Sequence, residues 1–449
     1  MNDYRIWVTY HKDEQVSQYG LKDDDTHKLF ASHKEIEGKN INALNPVYSE
    51  MVAMWYVWKN ASAKSNFVGF NHYRRQFAVN RMPGKGECQV YRVLDFGKQT
   101  IYQQYAQCHN VKDMDLMLSL IDAKYGEGNE YAKNIRESHT LIANCCFLMK
   151  WADFTKMCKF LFPILDEFAS ACGCESVDDW RKKAKKDFGG NRVDYQTRVV
   201  SFLAERLISA WISANLSYYV GGLDVAIVHY NTPELTEAAI RSLNKHLLGC
   251  KVWVFDNSDK KPFTANIPNV EVIDNTKGQL IDFEAELEKY PNKWERDAQK
   301  SNYGSAKHSM SVDKLMEMLP DGFVLMDSDV LIKSNIKDFF DKSVACLGGI
   351  EVKHDVPLLM PFLCYLNVPM LRDNGINYFN GEKMWALSDI EPNQHYDTGA
   401  WLLEEVKRVG LPMKEIGIWN YVLHFGHGSW RGNAAKVKKW LEENENLWK

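Results

Sequence analysis

The chain has 449 residues, of which 45% are hydrophobic, 12% aromatic and 25% charged. That composition is globular and excludes a disordered chain, a collagen-like repeat and a coiled-coil rod. A formal net charge of −4 offers no electrostatic footprint for nucleic acid.

The N-terminal stretch MNDYRIWVTYHKDEQ has no basic run followed by a long apolar one, so no signal peptide is expected. IWVTYH (6–11) reads as a short strand ending in polar groups, among them His11. NPVYSEMVAMWYVWKN (45–60) predicts one helix with Asn45 as N-cap and Pro46 in its first turn. Val47, Met51, Met54, Trp55 and Trp58 form its apolar stripe, and Glu50 falls on that stripe. A carboxylate there is costly unless it is paired or functional, and an arginine is the plain structural partner. The tryptophans read as core residues. A second strand, at 67–70, runs into His72-Tyr73-Arg74-Arg75. Two adjacent guanidinium groups can bind the oxygens of a diphosphate without a metal, and a surface ion pair is the alternative use.

Gly221-Gly222 follows the helical run at 198–216 and marks a boundary between domains 1–220 and 221–449. The second half repeats the design of the first. VAIVHYN (225–231) is a strand ending at Asn231, and VWVFDNS (252–258) carries Asp256 and Asn257 to another strand end. The strand at 323–326 runs into Asp327-Ser328-Asp329. Carboxylates at i and i+2 can share one hard divalent cation that also meets phosphate oxygens, although a solvated turn would look the same. HYDTGAWL (395–402) contributes Asp397, either a chemical group or a helix cap, and HFGHGSW (424–430) contributes His424 and His427. Strands alternating with helices predict α/β domains with largely parallel sheets, whose ligands sit beyond the C-terminal strand ends.

Ten cysteines without a CxxC point to a reducing compartment. The apolar stretch 356–371 is interrupted by Pro361, Asn367 and Pro369 and falls short of the roughly 20 residues of a membrane span. A cytoplasmic location is therefore expected. WRKKAKK (180–186) and the final VKKWLEENENLWK could add peripheral contact at the inner face of the membrane.

Two resemblances extend this reading. NINALNPVYSEMVAMWYVWKN, FVGFNHYRRQF, NCCFLMKWADFTKMCKFLFPILDEF and FLAERLISAWI resemble the domain of unknown function 4422, over nearly all of 4–216. That family occurs in bacterial capsule and O-antigen synthesis, and some members are galactofuranosyltransferases. The resemblance singles out His11, Asn40, Asn45, Glu50, His72, Arg74, Arg75, Asn144 and Glu205. It departs from the family pattern at Met51-Val52, where a threonine is expected after Glu50. The roles assigned to these positions here are Arg74 and Arg75 for the diphosphate and either Glu50 or Glu205 as base, with no metal.

The second half, over about 223–430, resembles a GT-A-fold glycosyltransferase of family 2. By that resemblance Asn231 and Asp256 contact the nucleoside, Lys307 the diphosphate side, and Asp327 and Asp329 the metal. Asp397 would take the acceptor hydroxyl proton, although the usual Glu-Asp pair is missing. His424 or His427 would complete the metal site, and imidazole favours Mn²⁺ over Mg²⁺.

The combined expectation is two GT-A-like, Rossmann-like domains in tandem. They would transfer sugars from UDP-linked donors, UDP-galactofuranose among them, to a lipid-linked capsular or O-antigen glycan. The alternative makes only the second domain catalytic and the first an acceptor-binding module.

Overall fold

The computed structural model describes residues 3–61, 65–77, 79, 81–190, 192–267, 269–353, 355–384, 396–426 and 434–449. The chain divides into two compact units, Met1–Gly221 and Gly222–Lys449.

The first unit contains β1 (Tyr4–Tyr10), β2 (His27–Ala31), β3 (Phe67–His72), β4 (Glu87–Val90), β5 (Val93–Asp95), β6 (Thr140–Ile142), β7 (Phe147–Lys150) and β8 (Ser217–Val220). Six of these form a sheet in the order β2-β1-β3-β7-β4-β8, and β5 pairs with β6. Pairing is parallel from β2 through β3, β7 is antiparallel to β3 and β4, and β8 is parallel to β4. All six residues of β3 are buried, as expected of a central strand covered on both faces. At Gly69 a Cβ would stand 2.9 Å from the Phe147 carbonyl oxygen, so glycine is what lets β7 lie this close.

The helices Met51–Asn60, Trp151–Cys172 and Val199–Asn215 bury their apolar faces in one core with β3 and β7. Trp55 packs against that core and Trp58 stacks on Phe162, with ring centroids 5.5 Å apart. The single helix expected over 45–60 is in fact two, Asn45–Tyr48 and Met51–Asn60. Ser49 breaks it with φ +49°: its N–H closes the first helix on the Asn45 carbonyl at 2.8 Å, while its hydroxyl accepts from Arg198 Nε at 2.9 Å. The break removes Glu50 from the apolar stripe and sets it at the start of the second helix.

The second unit contains β9 (Asp224–His229), β10 (Lys251–Asp256), β11 (Val270–Asp274), β12 (Phe323–Asp327), β13 (Val330–Ile332), β14 (Cys346–Lys353), β15 (Val356–Leu366), β16 (Met413–Glu415) and β17 (Val422–His424). Its main sheet runs β11-β10-β9-β12-β15-β14-β16, with β13 paired to β17. Alternation sorts the strand residues onto two faces. Val225, Ile227, Val254 and Met326 join the core under the helix Pro233–His246. Ala226, Phe255 and Leu325 join the one under Lys293–Met318.

From β10 to β16 the pairings are parallel, parallel, antiparallel, antiparallel, parallel. That is the succession found from β2 to β8. Both sheets are thus parallel up to the strand that carries the polar motif and antiparallel just beyond it, which narrows the expectation of largely parallel sheets. β3 and β12 hold the same place.

In the segments considered for membrane contact some side chains are packed or paired, while Lys185 and Lys186 are exposed. Trp180 is buried and Lys183 bridges Asp113 and Asp187. Trp440 and Trp448 pack with Leu235, Ala238 and Leu331. No helix among the described residues is long and apolar enough to cross a membrane. All ten thiols are free.

Candidate functional site

β1 and β3 end side by side, with Thr9 opposite His72 in the register. Beyond them the His72 and Arg75 backbones exchange hydrogen bonds, reversing the chain at Tyr73-Arg74. The result is a polar cavity of about 660 Å³ at the C-terminal strand ends of the first unit. Arg74 and Arg75 line it, as do His11, His72 and Asn45. Glu50, Asn144 and Glu205 line it too. Among the described residues no carboxylate lies within ion-pair distance of Arg74 or Arg75, and Arg74 lies 5.7 Å from the Tyr73 ring centroid.

Asn40 is not part of this lining. Its amide donates to the Ile36 and Gly38 carbonyls and accepts from Asn42 N, which holds its own loop.

The two candidate carboxylates differ in their surroundings. Glu205 accepts from Asn144 N at 2.7 Å and from Arg206 Nη1 at 2.7 Å. Asn144 and Cys145 both have positive φ, +73° and +54°, so Glu205 holds a left-handed turn in place. Glu50 Oε1 lies 3.2 Å from His72 Nε2, and Glu50 Oε2 lies 4.0 Å from Arg198 Nη2. Burial, with the charges of Arg75 and Arg74, pushes the His72 imidazole down to about 3. His72 is therefore neutral beside Glu50, and its buried Nδ1 has no hydrogen-bond partner among the described residues. His11 is likewise lowered, by burial first and then by Lys12 and Arg198. Sequence reasoning missed Gln104, His109, Tyr195, Arg198 and Phe202, which also line the cavity. Of these Phe202 lay inside a quoted motif; nothing local distinguishes the others.

In the second unit Asp327 closes β12 and Asp329 begins the turn into β13. β13 pairs antiparallel with β17, setting Val330 opposite His424, and Phe425 N donates to the Asp329 carbonyl at 3.0 Å. His424 Nε2 comes to 3.2 Å from Asp329 Oδ1 and its ring stacks on Phe362. One ligand atom from each of Asp327, Asp329 and His424 lies within 4.8 Å of the others. Burial alone would lower the His424 imidazole, but the hydrogen bond to Asp329 and the charges of Asp329 and Asp327 raise it. His427 lies outside the described residues. His308 Nε2, unforeseen from sequence, stands 3.3 Å from Asp327 Oδ1. Ser328 meets Thr232 at 3.2 Å, before the helix Pro233–His246.

The other expected residues of this unit surround the same strand ends. Asp256 is buried and accepts from Ser258 N and Phe263 N. Asn231, with φ +57°, accepts from Lys260 N and Lys261 N and donates to Asp259. Both side chains are thus engaged in shaping the loop after β10. Lys307 Nζ donates to the Asn257 carbonyl at 3.3 Å, and burial lowers its pKa despite Asp259. Asp397 accepts from Ser305 at 2.7 Å, from Thr398 N at 2.8 Å and from Lys353. Burial would raise Asp397, yet Lys353 and Ser305 hold it below the usual carboxylate range. The helix Ala400–Val409 is entered through Gly399, with no side-chain cap, so Asp397 does not serve as its cap.

The fold and these clusters define a protein of two α/β units, each presenting a polar site at the end of the same sheet strand. Residues 5–96 and 90–216 match the family described as "Domain of unknown function (DUF4422)", which spans nearly all of the first unit. Among solved structures the chain is similar to the WbbM bifunctional glycosyltransferase, at 15% identity, covering 93% of this chain and 87% of that one, with a TM-score of 0.36. It is also similar to the galactosyltransferase LgtC in complex with donor and acceptor sugar analogues, at 13% identity over 41% of this chain and 70% of that one, TM-score 0.27. A third similarity is to the mannosyltransferase PcManGT from Pyrobaculum calidifontis in complex with GDP-Man and Mn²⁺, at 12% identity over 43% and 54%, TM-score 0.23. Comparison with curated protein sequences gives no match.

Proposed function

We propose that the chain is a glycosyltransferase with two transfer sites, one in each unit. The observation that carries this reading is the equivalence of β3 and β12. At one strand end stand two arginines without carboxylate partners among the described residues, and at the other an Asp-Asp-His cluster. These are two chemical solutions to one problem, the charge on a departing nucleoside diphosphate.

In the second site Asp327, Asp329 and His424 would hold the cation. Two carboxylates and an imidazole within 4.8 Å suit Mn²⁺, and Mg²⁺ less well. Such an ion supplies charge neutralisation at the diphosphate. Lys307 adds a cationic side chain on the same side, and Asp397, held ionised, takes the acceptor hydroxyl proton. In the first site Arg74 and Arg75 bind the diphosphate without a metal, and Glu50 takes the acceptor proton. Glu205 acts as a positioning residue. The donors are UDP-linked sugars, with UDP-galactofuranose for the first site. The acceptor is a lipid-linked capsular or O-antigen glycan, and both of these assignments rest on the family resemblance.

The test is a panel of nucleotide sugars offered to the full chain with and without EDTA. Asp327→Ala and EDTA are expected to abolish one transfer and spare another, and Arg74→Ala with Arg75→Ala to do the reverse. If the arginine variant leaves every transfer intact while Asp327→Ala removes all of them, only the second site is catalytic. The first unit is then an acceptor-binding module.

A further inference from the structure

One wall of the first unit's cavity has no role in the reading above. His109, Tyr195 and Phe202 stand together there, with centroids 4.2 Å apart for His109–Phe202 and 4.9 Å for Tyr195–Phe202. Tyr195 is 45% exposed although it lines a cavity. Arg192 lies over the Tyr195 ring at 5.8 Å, and the part of the ring that stays exposed gains from being covered by an apolar face.

Beside it His109 is only 9% exposed. The Gln196 amide donates to the Cys108 carbonyl at 2.9 Å, which turns its Oε1 toward His109 Nδ1 at 3.0 Å. Nδ1 must then carry the proton, and Nε2 is left with a lone pair that has no partner among the described residues. The wall is also joined to the candidate base. Arg198 lies over the Phe202 ring at 5.6 Å and reaches Glu50 Oε2 at 4.0 Å.

We infer that this wall is the acceptor-sugar subsite of the first unit, a deduction that rests on the glycosyltransferase reading. The C–H face of a sugar ring covers Tyr195 and one of its hydroxyls donates to His109 Nε2. The next hydroxyl is thereby brought toward Glu50. Gln196 is a positioning residue that sets the His109 tautomer, and Arg198 spaces the wall from Glu50.

The experiment is saturation-transfer NMR on the full chain with methyl glycosides of glucose, galactose, mannose and N-acetylglucosamine, alongside calorimetry of UDP in EDTA. Tyr195→Ala is expected to weaken at least one glycoside by about tenfold, Tyr195→Phe to retain it, and UDP affinity to stay unchanged. Tyr195 is exposed enough that its truncation leaves the fold intact. His109→Phe, which keeps a ring and removes the lone pair, is expected to weaken the same glycoside. If no glycoside signal depends on Tyr195, the subsite is refuted. If UDP affinity falls with it, the wall holds the nucleobase and the inference is equally overturned. Failure of UDP to bind the wild-type chain in EDTA instead refutes the metal-free donor site, whatever the glycosides do.

Discussion

Glu50 and Glu205 show how two carboxylates of similar sequence setting acquire different work. Glu205 is engaged on both oxygens by Asn144 N and Arg206, whereas Glu50 meets a neutral imidazole and a more distant guanidinium. Glu205→Gln is expected to destabilise the first unit by about 1–3 kcal/mol, visible as a lower midpoint of thermal unfolding. Glu50→Gln should leave that midpoint nearly unchanged and lower kcat of the metal-independent transfer by about 100-fold or more. A Glu205→Gln chain of native stability and no activity would reverse the two assignments. Asp313 offers a test that needs no substrate. Burial raises it to about 6, although it accepts from Tyr378 N and Phe379 N. Because its folded pKa lies above the unfolded value of 3.8, the native state binds more protons in between. Stability conferred by the protonated form is therefore lost as pH rises from about 4 to about 6, by up to roughly 3 kcal/mol. Unfolding of Asp313→Asn measured across that range should show a shallower decline than the wild-type chain.

At the level of elements, the decisive departures from periodicity are local breaks in regular structure. The run 45–60 has the apolar spacing of one helix, yet Ser49 interrupts it and turns Glu50 toward His72. Spacing alone could not reveal this, because the partner of the Ser49 hydroxyl at the break is Arg198, which lies far along the chain. β3 was legible from its apolar run, but the reason for Gly69 was not. That reason is the approach of β7, and Gly69→Ala is expected to cost about 1–3 kcal/mol through displacement of the Phe147 carbonyl. Denaturant unfolding would measure it, and a neutral result would mean that β7 shifts freely.

Across the whole molecule, each unit has its own core and sheet, and both sheets pair their strands in the same succession. The repetition explains why two sites with no residue in common occupy one structural position: strand ends are where helix and loop termini converge on open space. Alternation of strand and helix, the turn-forming glycines near 221 and the residue types after each motif strand were all readable from sequence, because they depend on near neighbours. The sequence by itself determined two α/β halves with arginines after one strand and carboxylates after another. Only the tertiary structure decided that His424 meets Asp329, that Glu205 is tied to Asn144, that Asp256 and Asn231 hold a loop, and that Tyr195 and His109 face the same cavity. Each of those depends on strand pairing or helix packing between segments distant in the chain, and such partners leave no periodic trace in the residues that lie between them.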